Sequence, residues 1–165
     1  MSQLNPYARF LESDSASGRS IEAILADSPG TLAQLIHQIG PARSNSPIAP
    51  GKWTPTQILC HLADCELVFA FRLRQTLAED AHVIQPFDQD KWAVNYEGAS
   101  ADEALALFTT LRKWNVHLIQ KSLPAAADRV VTHPERGTMT YGLIVETMAG
   151  HDLNHIAQLK HIAGK

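Results

Sequence analysis

Thr140-Tyr141-Gly142-Leu143-Ile144-Val145-Glu146-Thr147-Met148-Ala149-Gly150-His151-Asp152-Leu153-Asn154-His155-Ile156-Ala157-Gln158-Leu159 decides the fold. Ile144, Met148, His151, His155, Leu159 and Ile162 fall in one stripe about 80° wide on a helical wheel. The spacing predicts an amphipathic helix from about Thr140 to Ile162, with two histidines set in its apolar face. Such a helix must bury that face against other elements.

Working outward, three further helices of similar length are predicted. Ile21, Ile24, Leu25, Leu32, Leu35, Ile36 and Ile39 keep helical spacing from Ser20 to about Ile39. Ser28-Pro29-Gly30 interrupts that run, so a kink or two abutting segments are expected. Residues 41–52 read as a loop. The next helix opens with Thr54 as N-cap, Pro55 at the first helical position and Gln57 closing a capping box. Its stripe is Ile58, Leu62, Cys65, Phe69 and Leu73, lasting to about Leu77. Ser100 and Glu103 mark the start of another helix, striped by Leu105, Phe108, Leu111, Asn115 and Leu118, which Pro124 is expected to end. Residues 124–139 read as a loop.

Residues 79–99 form a connection long enough to run the length of a bundle, which lets the second and third long helices lie parallel. With almost no strand signal, the fold class is all-α: one four-helix bundle domain over residues 1–165.

Bulk properties narrow the function. The chain has 165 residues, 45% apolar and 19% charged, with a net charge of −3, which suits a globular domain without a basic face for nucleic acid. No apolar run nears the ~20 residues of a membrane span. Met1-Ser2-Gln3-Leu4-Asn5-Pro6 lacks the basic start and apolar core of a signal peptide. Cys60 and Cys65 point about 140° apart on one helix and are not placed to bridge. A cytoplasmic location is expected. A homodimer is compatible with the apolar surface of a bundle.

His151 and His155, four apart, stack on one helix face. Two adjacent buried imidazoles are costly without a shared partner, and a metal ion binds the neutral form of both. Gly150 beside them costs about 1 kcal/mol relative to alanine in a helix, which marks close packing. His61, one turn into the second long helix, flanks its stripe. Periodicity alone does not join residue 61 to residue 151.

Four separated segments resemble the DinB/YfiT-like superfamily. They are Trp53-Thr54-Pro55 through His61-Leu62-Ala63-Asp64, Phe87-Asp88-Gln89-Asp90-Lys91-Trp92, His133-Pro134-x-x-Gly137, and His151-x-x-x-His155-x-x-Gln158. The resemblance implies a four-helix bundle with its crossover between the second and third helices. It also implies metal ligands at His61, His151 and His155, with nickel or zinc as the metal. Members of the family include thiol-dependent isomerases and S-transferases that use low-molecular-weight thiols.

Three imidazoles favour zinc, nickel or iron over magnesium or calcium. Three ligands leave a position open for water, thiol or a small-molecule substrate. The expected activity is a metal-dependent S-transferase or hydrolase, and a non-catalytic metal or small-molecule binding module is the alternative. Around the site, Asp64 has two readings, orienting an imidazole or sitting as a surface charge. Cys65 reads as a small core residue, Arg72 as a snorkelled arginine, and Asp152 and Asn154 as solvated. Asp88, Asp90, Trp92 and Tyr96 either cover the open end of the bundle or anchor the crossover. His133 reads as a turn residue, and His37, His82, His117 and His161 receive no role.

Overall fold

A computed structural model describes residues 5–164; Met1–Leu4, part of the stretch read for a leader, lie outside the described residues. Four long helices form the bundle: α2 (Ile21–Ile39), α4 (Pro55–Ala78), α6 (Ala101–Ala126) and α7 (Tyr141–Ala163). Short helices α1 (Ala8–Asp14), α3 (Pro41–Ser44) and α5 (Gln89–Ala93) fill the connections. The crossover lies between α4 and α6, the second and third bundle helices.

Local chemistry sets the helix starts. The Thr54 hydroxyl accepts from the Gln57 N–H at 3.1 Å, and Gln57 Oε1 accepts from the Thr54 N–H at 2.9 Å. Two orphan donors at the start of α4 are thereby satisfied reciprocally. Ser20, Ser100 and Thr140 cap α2, α6 and α7 from one side only, each side chain accepting one backbone N–H, and Asp88 caps α5.

The structure departs from the sequence reading in four places. Helix α2 runs through Pro29 as one helix, not as two abutting segments. Residues 41–44, expected as loop, make the single turn of α3. Pro124 does not stop α6, which continues to Ala126; near a C-terminus a missing N–H removes only one late hydrogen bond. Residues 124–139 hold a β-hairpin, β1 (Val130–His133) on β2 (Gly137–Thr140), in register Val131 with Met139 and His133 with Gly137. The hairpin is tied to the crossover by a bridge from Val83 to Thr132, and it feeds directly into α7.

The apolar core has two halves. One gathers Leu25, Phe69, Leu73, Ile119, Tyr141 and Met148, and the other Leu32, Leu59, Leu62, Phe108, Ile156 and Leu159. Between them lie buried polar residues from α4, α6 and α7: His61, Glu66, Arg112, Asn115, His151, Asp152 and His155. Polar groups so enclosed need partners in place. They find one another in two adjoining clusters, one ionic and one of imidazoles.

Candidate metal centre

Helix α4 brings His61 and helix α7 brings His151 and His155 to one point. His61 Nε2 lies 3.0 Å from His151 Nε2, which lies 3.1 Å from His155 Nε2. All three side chains are buried, at 2%, 4% and 6% exposure. Helix α7 presents His151 and His155 by the i, i+4 stacking read from its sequence. The partner across the bundle, 90 residues away, is supplied by the packing of α4 on α7.

Proton bookkeeping shows what these nitrogens lack. His155 Nδ1 sits 2.9 Å from Gln158 Oε1. An amide oxygen only accepts, so Nδ1 carries the proton and the neutral ring turns the lone pair of Nε2 inward. His151 Nε2 has a single in-plane bonding direction but faces two nitrogens. If it donates to one it meets the other unsatisfied, and if it accepts from His61 it opposes the lone pair of His155. No arrangement of neutral rings satisfies both contacts.

Extra protons are also disfavoured. Burial, then the neighbouring His155, lowers the His61 pKa from 6.5 to about 3. Burial foremost lowers His151 well below its usual range, and likewise lowers His155. A cation shared by three lone pairs resolves the conflict. Two nitrogens bound to one ion at about 2.0–2.1 Å stand about 2.9 Å apart at a right angle and about 3.4 Å apart at the tetrahedral angle. The observed separations fall in that range, so the residues present fit a metal.

The centre opens on a cleft of about 690 Å³, lined by Tyr7, Trp53, His61, His155, Gln158 and residues of the crossover and α7. The Trp53 ring packs 4.9 Å from the His61 ring, and Tyr7 meets His151 edge-on at 5.1 Å. Tyr7 is admitted by Gly150. A Cβ there would stand 2.7 Å from Tyr7 Cβ and 3.0 Å from its carbonyl oxygen. The close packing expected at Gly150 is therefore an approach of the N-terminal segment to α7.

Other residues singled out in the sequence divide. Cys65 Sγ lies 3.5 Å from His61 Nε2 and 4.0 Å from His151 Nε2, so His61, Cys65 and His151 form a group with metal-binding spacing. Sγ is nearly as close to His61 Nδ1, at 3.7 Å, so it sits beside the ring rather than in line with its lone pair. Burial pushes its thiol pKa well up. Cys65 therefore packs as a neutral thiol against the imidazoles, and both cysteines are free.

Asp64 does not meet an imidazole. It accepts from the Tyr96 hydroxyl at 2.6 Å, beside a separate cavity of about 520 Å³ shared with Cys60 and Trp92. Trp92 meets Phe87 at a tilt with ring centres 4.8 Å apart, and Phe87 in turn packs against the core. Gln89 and Asp90 reach the cleft, while Asp88 caps α5. His133 is buried in the hairpin turn, where Nδ1 accepts from the Glu135 N–H at 3.2 Å. His161 lines the outer cleft without joining the imidazoles, and Asn154 is half-buried there.

Asp152 corrects the sequence reading. It is 1% exposed, not solvated, and pairs with Arg112. Arg112 lies between two carboxylates. Its Nε and Nη2 donate to Glu66 at 3.0 and 2.7 Å, Nη2 donates to Asp152 Oδ1 at 3.1 Å, and Nη1 reaches Asp152 Oδ2 and the Leu25 carbonyl. Asn115 Nδ2 donates to Glu66 Oε1 at 2.9 Å. Burial opposes the charge on Arg112, but Asp152 and Glu66 more than offset it and its pKa is raised. Two carboxylates against one guanidinium leave one net negative charge beside a centre that suits a cation. Arg112, four after Phe108 on the same stripe, was the signal in the sequence: a charge on an apolar face needs a buried partner.

Known proteins share this helical bundle. The DinB superfamily profile matches residues 24–159, and the chain belongs to that family. Proteins of Oceanobacillus iheyensis and Bacillus mycoides, each named "Putative metal-dependent hydrolase", are 27% and 26% identical over 136 residues. Both matches cover 82% of this chain and 79% of the relative. YfiT from Bacillus subtilis, described as "a probable metal-dependent hydrolase with an unusual four-helix bundle topology", superimposes with a TM-score of 0.81 at 23% identity, over 87% of this chain and 84% of that one. That likeness shows the shared fold.

Proposed function

We propose that His61, His151 and His155 hold one divalent transition metal, zinc or nickel by donor type, and that the protein is a metal-dependent hydrolase of a small molecule that enters through the cleft. The supporting observation is the unsatisfied convergence of three Nε2 atoms at 3.0 and 3.1 Å. When bound, the ion supplies Lewis acidity and lowers the pKa of a water or thiol at its open position.

The chain's own residues do the rest. Gln158 holds His155 in the tautomer that offers Nε2. Trp53 and Tyr7 fix the other two rings and narrow the approach of water. The Glu66–Arg112–Asp152 cluster locks α4, α6 and α7 in register, so the three nitrogens keep their spacing without an ion to gather them. The named relatives favour hydrolysis. Transfer to a low-molecular-weight thiol needs the same open position and is the second outcome the test resolves.

Tag-free protein, dialysed and analysed for metal, is expected to carry one zinc or nickel per chain, and His155→Ala to lose it. Absence of stoichiometric metal, with uptake unchanged in His155→Ala, ends the metal reading. Turnover of ester, amide and thiol-transfer substrates by the loaded protein, with His151→Ala as control, then separates hydrolase from transferase. No metal-dependent turnover favours a binding module.

A further inference from the structure

We propose that the cavity between α4, α5 and the start of α6 is a second ligand site, for a small organic ammonium ion, separate from the histidine centre. The cavity measures about 520 Å³, and Asp64, Trp92, Tyr96, Glu103 and Leu107 line it together. It shares no lining residue with the cleft that opens on the histidines. Two carboxylates and two aromatic rings border one space, and among the described residues no lysine, arginine or histidine lines it.

Both carboxylates keep acceptor capacity that the protein leaves unused. Asp64 Oδ2 accepts from the Tyr96 hydroxyl at 2.6 Å, and Oδ1 has no partner among the described residues. Burial first, then the hydrogen bond to Asp64, raise the Tyr96 pKa, so the phenol stays a neutral donor. Glu103 stands where a capping box would turn its side chain back onto the Ser100 N–H. In α4 that box closes from both sides, but in α6 only the Ser100 hydroxyl accepts, from the Glu103 N–H at 3.3 Å. The Glu103 carboxylate is thus left to the cavity. Neither Asp64 nor Glu103 forms an ion pair among the described residues. The contrast is with Glu66 and Asp152, which have Arg112 between them. Like charges bordering one partly enclosed space repel each other unless a cation joins them.

The rings decide which kind of cation. An ammonium ion is attracted to the face of an indole or phenol ring within about 6 Å of its centre. Trp92 is 37% exposed and Leu107 50%, so an indole and an alkyl wall stand open beside the two carboxylates. Calcium takes roughly six to eight oxygen ligands and has no use for either. An alkyl ammonium uses both: its head meets the carboxylates and the rings, and its methylenes cover Leu107. Helix α5 stands between the two spaces, with Gln89 and Asp90 on the cleft and Trp92 on the cavity. A ligand held by Trp92 therefore also steadies one wall of the cleft.

Titration of dialysed, metal-free protein with n-butylammonium chloride at constant ionic strength tests the site, with the indole N–H resonances of the three tryptophans followed by NMR. The Trp92 signal, identified by its loss in Trp92→Phe, is expected to shift saturably, and that of Trp114, on the outer face of α6, to stay in place. The neutral and anionic analogues, 1-butanol and butyrate, are expected to give no saturable shift. Asp64→Asn, whose amide oxygen still accepts from Tyr96, and Glu103→Gln are each expected to weaken binding about tenfold, as loss of a charge-assisted hydrogen bond predicts. Asp102→Asn removes an exposed carboxylate from the same turn of α6, outside the cavity, and leaves binding unchanged. If Asp64→Asn loosens the crossover, Glu103→Gln, at an exposed position, still decides. The proposal is overturned if butylammonium does not saturate, if butanol binds as tightly, if Glu103→Gln binds as the wild type does, or if calcium chloride shifts Trp92 at lower concentration than butylammonium. Metal uptake plays no part in these titrations, so failure of the metal reading leaves them decisive.

Discussion

Gln158 Oε1 accepts the Nδ1 proton of His155 across 2.9 Å, and that one contact determines which nitrogen of His155 faces His151. Gln158 is exposed at the cleft and touches no other imidazole in a hydrogen bond. Its removal leaves the bundle intact but frees the ring to turn and to exchange tautomers. Gln158→Ala is expected to weaken metal affinity about 10- to 100-fold, whereas Gln158→Glu, which still accepts, retains most of it. Competition with a chromophoric chelator measures both. Equal affinities for Gln158→Ala and wild type would show that the ring is held by packing alone.

Acid acts on the metal-free protein through the same rings. Folded His61 has its pKa lowered from 6.5 to about 3, and His151 and His155 are also lowered. Once unfolded, each regains an ordinary value. Below about pH 6.5 the unfolded chain therefore binds more protons than the folded one, and stability falls as pH falls. For His61 the loss runs down to about pH 3, at up to about 1.4 kcal/mol per pH unit. Urea unfolding of apo protein across this window is expected to show a falling midpoint, with a shallower fall in His61→Phe. A midpoint that rises on acidification contradicts the account.

Arg112 is the single cation between two buried carboxylates. Arg112→Met leaves Glu66 and Asp152 facing each other without compensation, at a cost of about 3–5 kcal/mol. Asp152→Asn leaves one carboxylate for one guanidinium and is expected to cost less. Unfolding free energies in urea rank the two. The reverse order would mean that the excess negative charge, rather than its pairing, stabilises the bundle.

Glycines in two helices should respond oppositely to alanine. At Gly150 the new methyl meets Tyr7 at 2.7 Å, so α1 and the segment before it must shift, at a cost of about 1–3 kcal/mol. At Gly30, within α2, nothing lies within 4 Å, and alanine is expected to stabilise by about 0.5–1 kcal/mol. Thermal melting of both variants checks the signs.

The four bundle helices were legible because each carries a long apolar stripe and a capping residue, and those signals are local. The hairpin was not legible. Its strands have four residues each, and β1 buries only Val131 and His133, too little alternation to distinguish from a loop. Asp152 was misplaced for a different reason. Its angle on α7 was read correctly, but the cation that makes its burial tolerable comes from α6, and a helical wheel contains no second helix. The same gap separates the His151–His155 pair, which spacing revealed, from His61, which the resemblance supplied and which the packing sets 3.0 Å from His151.

That separation along the chain has a consequence for biosynthesis. His61 is made 90 residues before His151, and the intervening chain must lay down the crossover, α6 and the hairpin first. Until α7 emerges, α4 presents one imidazole and has no site to offer. On the proposed metal reading, an ion would be captured only by a chain whose last bundle helix has docked, and occupancy of the centre would serve as a chemical receipt for completed folding.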